Sequence, residues 1–382
     1  MSEIKVNSIK GVNSTDAAIT INNSDGTCTA NITNNLSNRR ININGAMTVA
    51  QRGTVTGITS STYAGADRFR FGISGHGTYT VSQDTSAPTG SGFANSLKLA
   101  CTTADTSVAS GAIGYFQHKL EGQDCQQIRK GTSNAKQLAV QFWVKSNKTG
   151  TYAFWVYDND NARSFTTTYA ISSADTWEKK TIIVPADTTG VLGNDNNVSL
   201  TLNFVLVAGS SYTSGSASSS WGAEVDANSA FGHNVNIADS TSNTWYMTGF
   251  QIELGNVHTD FEHRSFAQEL ALCQRYFFNI TGDNYFKTGV LGYANSSSNF
   301  RGVVYFPTVM RANPTFTGSA TAMVVDSGDD SSSFNVNTIT SGAIPQLFQA
   351  IIEANPGGMT TGQCGQLEFR ANSGFMNFSA EL

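Results

Sequence analysis

Charge is scarce in this chain. Charged residues are 13% of 382 positions, with 23 Lys and Arg against 28 Asp and Glu and a formal net charge of −5. No basic cluster exceeds Arg39-Arg40. Phosphate binding needs a concentrated basic face, so nucleic acid is not expected as a partner. Long apolar runs are also missing. None approaches the roughly 20 residues that cross a bilayer, and the opening MSEIKVNSIK lacks the apolar centre of a signal peptide. The expectation is a chain made in a cytosol, without membrane insertion. The five cysteines (Cys28, Cys101, Cys125, Cys273 and Cys364) are odd in number, widely separated and without a CxxC pair. That argues against a disulfide framework and against a zinc site.

Clustered acid, base or nucleophile candidates are absent as well. His76, His118, His233, His258 and His263 are scattered, with none in HExxH or beside a GxSxG serine. In HTDFEH, His258 and His263 could ligate an ion with Asp260 and Glu262, but exposed polar residues of a connection are the commoner reading. Carboxylate pairs of the glycosidase kind come from distant strands, and no particular pair is indicated. The reading is no catalytic residue, no metal and no cofactor.

What the chain has is glycine and aromatics: 36 Gly, 23 Phe and 12 Tyr. The aromatics fall within short alternating segments broken by Ser, Gly and Asn, the pattern of a mainly β protein with many turns. Residues 1–44 have almost nothing large to bury and read as an extended N-terminal β arm for attachment or oligomerisation. Residues 45–264 hold about ten strands with turns every 8 to 12 residues, read as a jelly-roll β-sandwich. QLAVQFWVKS (137–146) and TYAFWVYD (151–158), joined by Asn-Lys-Thr-Gly, read as the clearest hairpin. The loop GSSYTSGSASSSWG (209–222) is low in complexity, yet Tyr212 and Trp221 should pin its ends.

TWYMTGFQIELG (244–255) alternates as a strand. After it, Ser265 and Gln268 form a capping-box pattern that predicts one short linking α-helix over 265–278, with Phe266, Leu270, Cys273 and Phe277 on one buried face. Residues 279–382 read as a smaller C-terminal β-sandwich that closes on the strand FMNFSAEL.

The aromatic residues of the presumed hairpin are the clue to binding. Val140, Phe142 and Val144 share one face with the core. That would leave Trp143, Trp155 and Tyr157 together on the outer face near Gln141 and Asp158. Flat rings beside amide and carboxylate groups suit sugars. Tyr212 and Trp221 complete the glycan-binding candidates. The same rings could instead be covered by the Ser-rich loop, by the helix or by another subunit.

INGAMTVAQRGT (43–54), QFWVKSNKTGTY (141–152), TWEKKTIIVP (176–185), TWYMTGFQIELG (244–255), TDFEHRSFAQELALCQRYF (259–277) and the closing SAEL resemble bacteriophage tail-fibre and virion-appendage proteins, chiefly in the FEHRSFAQELALCQRYF block. Residues 45–264 resemble the jelly-roll carbohydrate-binding modules found in such proteins. The resemblance implies a virion structural protein and homotrimer. It would attach to other virion proteins through residues 1–44 and contact host surface polysaccharide with its β domains. The alternatives are a head fibre or capsid decoration protein and, from another class, a polysaccharide-degrading enzyme or its binding module. No regular short-rung repeat of the β-helical depolymerase kind is found.

Overall fold

The structure is a computed structural model, and it describes residues 6–12, 17–21, 24, 28–30, 38–282, 288–327, 333–341, 346–370 and 374–382. Near the start, β1 (Ser8–Lys10), β2 (Ala17–Ile21) and β3 (Cys28–Ala30) form a small antiparallel sheet. Ile9 stays half exposed, as expected for a segment with little to bury. Residues 1–5, 13–16, 22–23, 25–27 and 31–37 of the arm lie outside the described residues.

From residue 38 the chain is packed onto the body. Asn42 accepts from the Ile252 amide (2.9 Å) and donates to the Phe250 carbonyl (2.8 Å), in the manner of a strand residue. Asn44, at φ 57°, holds the next turn by donating from Nδ2 to the carbonyls of Val49 and Asp67.

The sandwich follows: β4 (Val55–Ile58), β5 (Thr62–Tyr63), β6 (Phe69–Ser74), β7 (Thr78–Asp84), β8 (Ser96–Thr103), β9 (Ile113–Glu121), β10 (Leu138–Ser146), β11 (Gly150–Asp158), β12 (Arg163–Ile171), β13 (Glu178–Val184), β14 (Val198–Ala208), β15 (Gly222–Ala223) and β16 (Thr244–Leu254). A back sheet runs β13-β10-β16-β8-β7-β4 and a front sheet β15-β12-β11-β14-β9-β6-β5, both antiparallel. Between them Phe69, Phe71, Phe116, Phe142, Phe154, Phe204, Trp245 and Phe250 are fully buried. Burying such a ring contributes about 1.5–3 kcal/mol, so this layer dominates the stability of the unit.

The expected hairpin is not formed. β10 pairs with β13 and β16 in the back sheet, while β11 pairs with β12 and β14 in the front sheet. The Asn-Lys-Thr-Gly link carries the chain across the sandwich, and Phe142 meets Phe154 (ring centroids 6.5 Å apart) through the core. Alternation reports which residues face inward but not which strand lies alongside. Two successive strands with apolar inner faces fit a hairpin and a cross-sandwich arch equally well.

The helix Phe266–Gln274 has its capping box: the Ser265 hydroxyl accepts from the Gln268 amide (3.3 Å), and Gln268 Oε1 accepts from the Ser265 amide (3.0 Å). Its buried face differs from the expectation. Phe266 is 60% exposed and Phe277 belongs to the next strand, whereas Glu269 and Cys273 are buried. Glu269 bonds to the Arg40 guanidinium and the Asn44 amide, so the packed helix face is partly ionic.

The C-terminal unit has β17 (Phe277–Thr281), β18 (Thr288–Ser296), β19 (Asn299–Tyr305), β20 (Thr315–Gly318), β21 (Met323–Asp326), β22 (Ser333–Asn335), β23 (Thr338–Ser341), β24 (Gln349–Asn355), β25 (Cys364–Phe369) and β26 (Phe375–Ser379). They form sheets β17-β26-β20 and β22-β21-β25-β18-β19-β24-β23. Phe300, Ile352, Leu367, Met376 and Phe378 are buried between them. The chain closes as a strand in a sheet, as its alternation predicts. Residues 380–382 then return to the jelly roll, where Glu381 pairs with Arg52 and Arg68.

Candidate functional site

Side chains of the front sheet that point away from the core form cross-strand rows. The middle row runs Tyr63, Arg70, Gln117, Asn203, Trp155 and Thr166, each opposite the next on the neighbouring strand. With strands about 4.8 Å apart, these six positions span about 24 Å. Tyr115 stands two residues from Gln117 along β9, and Tyr157 two residues from Trp155 along β11.

The polar groups of the middle row are tied together. Arg70 donates to Gln117 Oε1 (3.4 Å), Gln117 to Asn203 Oδ1 (3.0 Å), and Asn203 to the Trp155 carbonyl (3.1 Å). Asn203 is 0% and Thr201 2% exposed, and the neighbouring rings of Tyr115, Trp155 and Tyr157 are partly exposed. Tyr115 and Trp155 meet edge to face at 6.2 Å, and Trp155 and Tyr157 are tilted at 5.8 Å. A Cβ at Gly72 would stand 2.5 Å from the Tyr115 ring, so a glycine there lets the ring lie across β6. Trp155 Nε1 and Thr166 Oγ1 have no hydrogen-bond partner among the described residues. Burial, and then the charges of Glu224 and Asp158, push the Tyr157 phenol above its ordinary value, so it keeps its proton.

Walls stand at two ends of this platform. At one, the Ser-rich loop packs Tyr212 against the cluster of Ala153, Val205 and Ala230. At the other, Tyr63 and Lys119 both donate to the Leu382 oxygen (2.8 and 2.6 Å). Burial and the neighbouring Arg70, outweighing Glu381, push Lys119 down to about 8.

Of the candidates read from sequence, Trp155 and Tyr157 come together here. Trp143 does not join them, because its strand is in the back sheet and its ring emerges on the opposite side of the sandwich. Gln141 is buried there too and donates to the Thr259 carbonyl (2.6 Å). Asp158 is fully buried and pairs with Lys130 (2.6 Å). That leaves it a structural ion pair rather than a flanking ligand group. Tyr212 and Trp221 do pin the loop: Trp221 packs on Phe165, lies 5.0 Å from Lys130 and donates to the Pro185 carbonyl (2.8 Å).

Sequence reasoning missed Tyr115, Arg70, Gln117 and Asn203. Its available signal was an amide at the centre of two apolar strands, AIGYFQHKL and VSLTLNFVLV. The outer face of the back sheet also has aromatics, but Lys145 sits 4.2 Å over the Tyr246 ring and 5.3 Å over Trp177, with Lys98 5.3 Å from Tyr246. Those ring faces are already occupied.

The HTDFEH residues are split by the fold. Glu262 accepts from the amides of Asn38, Arg39 and Arg40, His258 meets the Ile182 carbonyl (3.2 Å), and His263 packs on Phe93. Among the described residues no group of three or more His, Cys, Asp or Glu is placed to hold a metal ion.

No family model matches the chain, and no curated protein matches it. Among solved structures it is similar to the enzymatically active domain of tailspike protein 4 of bacteriophage CBA120, at 12% identity and a TM-score of 0.29 over 49% of this chain. The matched part spans 19% of that protein's length. It is also similar to a family 11 carbohydrate-binding module of Clostridium thermocellum (10% identity, TM-score 0.27, 55% of this chain and 99% of the module). A family 30 carbohydrate-binding module matches at 14% identity and TM-score 0.28, over 57% of this chain and 90% of the module. At these values the likeness says nothing of what this chain binds.

Proposed function

We propose that the outer face of the front sheet binds a neutral polysaccharide lying across the strands, and that the chain is a non-catalytic virion appendage, such as a bacteriophage tail fibre, that engages a host surface glycan. The observation that carries the binding reading is the group Tyr115, Trp155 and Tyr157 around a locked amide floor. Rings of this kind take the C–H faces of sugars. The ring group of Tyr115, Trp155 and Tyr157 is itself uncharged, which favours an uncharged ligand.

The virion reading rests on the resemblance of the 259–277 block and on the core-poor arm. Homotrimer formation through that arm and attachment to other virion proteins belong to the same proposal.

The binding test is purified chain against surface polysaccharide of candidate hosts. Trp155→Ala should weaken binding about 30-fold, as for a central aromatic anchor, and Tyr157→Ala less. Tyr246→Ala on the opposite face is the control. Binding indifferent to Trp155 and Tyr157 would refute the assignment, and reducing-end release from the polymer would refute the non-catalytic reading. Immunogold label on intact particles tests the location, with label on the capsid contradicting a tail fibre.

A further inference from the structure

Trp143 and Gln141, left out of the platform, stand together at a second cavity on the opposite side of the sandwich. It encloses about 300 Å³, near the lower end of small-ligand sites, and is lined by residues of β10, β13, β16, the β7–β8 loop and the segment after β16. Trp143 and Gln141, two apart on β10, form its floor with Gly249. Phe93, Phe261 and His263 are in mutual ring contact at 4.8–5.3 Å and form a wall. Asp260 and Lys179 are exposed lining residues.

Two features mark this as a built cavity. Gln141 is 2% exposed, and while its Nε2 donates to Thr259, its Oε1 has no hydrogen-bond partner among the described residues. The amide is closed off from solvent and fixes the floor from which Trp143 rises. The second feature is Gly249, at φ +62°, where β16 bulges: the register steps from Gln141 opposite Gln251 to Trp143 opposite Thr248. A Cβ there would stand 2.7 Å from the Phe93 ring and 3.0 Å from Trp143. The bulge is what lets the two rings close over the strand.

The chemistry of the lining selects the occupant. Aromatic faces take an apolar C–H surface, and the exposed Asp260 carboxylate takes a hydroxyl proton. Lys179 donates to a hydroxyl oxygen. An anion would be opposed by Asp260, and a cation by Lys179 and by Arg40, which stacks on Phe261 at 4.9 Å. An uncharged ring of one sugar's size fits, and a cavity walled by loops receives a chain end rather than a passing polymer. We infer that this cavity binds a single neutral pyranose at the end of a glycan, separately from the platform on the front sheet.

The test is saturation-transfer NMR on the full chain with a panel of methyl glycosides of neutral hexoses, 6-deoxyhexoses and N-acetylhexosamines, up to about 10 mM. At least one glycoside should show transfer. Measured in the Trp155→Ala background, where the platform no longer contributes, Trp143→Ala should weaken it about 30-fold. Absence of transfer from every glycoside overturns the inference, as does transfer that survives Trp143→Ala undiminished. Loss of transfer in Trp155→Ala overturns it too, because the sugar would then sit on the platform. Trp143 is partly exposed, so its variant should keep the parent melting temperature, which is measured alongside.

Discussion

Glu381 is the group whose loss should be felt most widely. One of its oxygens accepts from Arg52 at 3.0 Å and the other from Arg68, and their side chains are 12% and 1% exposed. Arg68 is further held by the Tyr276 ring, 3.3 Å away, and by the Lys119 carbonyl (3.0 Å). Burial alone would push the Arg68 guanidinium down; the charge of Glu381, helped by Tyr276 and Tyr63, outweighs it and holds Arg68 above its ordinary value. Removing the carboxylate leaves Arg68 buried and charged without a counterion.

Breaking a buried pair from one side costs about 3–5 kcal/mol, a large part of a typical stability of about 5–15 kcal/mol. Glu381→Ala should therefore lower the melting temperature by on the order of 10 °C. It should also loosen the contact between the jelly roll and the C-terminal unit, so that fluorescence and circular dichroism no longer report one coincident urea transition. Replacing both partners removes the stranded charge, so Arg68→Met/Glu381→Gln should be more stable than the sum of the single variants implies, by at least about 1 kcal/mol. Strict additivity of that cycle, or a Glu381→Ala variant within about 0.5 kcal/mol of the parent, would refute the reasoning.

Other consequences can be checked singly. Gly249→Ala combines a left-handed backbone position with a clash against Phe93 and Trp143, and should cost about 1–3 kcal/mol by urea unfolding; a neutral result contradicts the close packing over the bulge. Ser265→Ala removes the helix cap and should cost about 1 kcal/mol, and a loss below about 0.3 would mean that the helix end is held by its tertiary contacts alone. Burial pushes Glu262 up, but the amides of Arg40, Asn38 and Arg39 and the charge of Arg264 outweigh it and hold it below its ordinary value. Its contribution is thus present above the ordinary carboxylate pKa and lost as pH falls through the depressed one, and Glu262→Gln should flatten the acid limb of stability against pH. Asp67 has the opposite sign. Burial raises it to about 6 against the Gln51 hydrogen bonds, so its contribution is present below its unfolded value and lost as pH rises through about 6. A carboxyl NMR titration with its midpoint at an ordinary aspartate value would contradict this.

Much of the fold was legible because it depends on local pattern. Alternation marked β10, β11, β16 and β26. Ser265 and Gln268 marked the helix start through bonds that span only three residues. Cys273 was read as buried because its spacing from Leu270 is helical, and it is buried. The helix's other buried residue was not legible: Glu269 is covered only because Arg40 and Asn44, over two hundred residues earlier, come to meet it.

The binding residues divide along the same line. That Trp143, Trp155 and Tyr157 point outward was decided by the period of two along their strands, since Phe142, Phe154 and Val156 between them must face the core. Whether they meet was decided only in three dimensions. The link after Ser146 crosses the sandwich instead of folding back, so the first ring goes to one side and the other two go to the opposite side. Pairing is a relation between segments far apart in the chain, such as Asn203 with Trp155 or Gln141 with Gln251, and no local periodicity encodes it. Side-chain alternation therefore set which residues could serve a surface, and strand order set which surface each one serves.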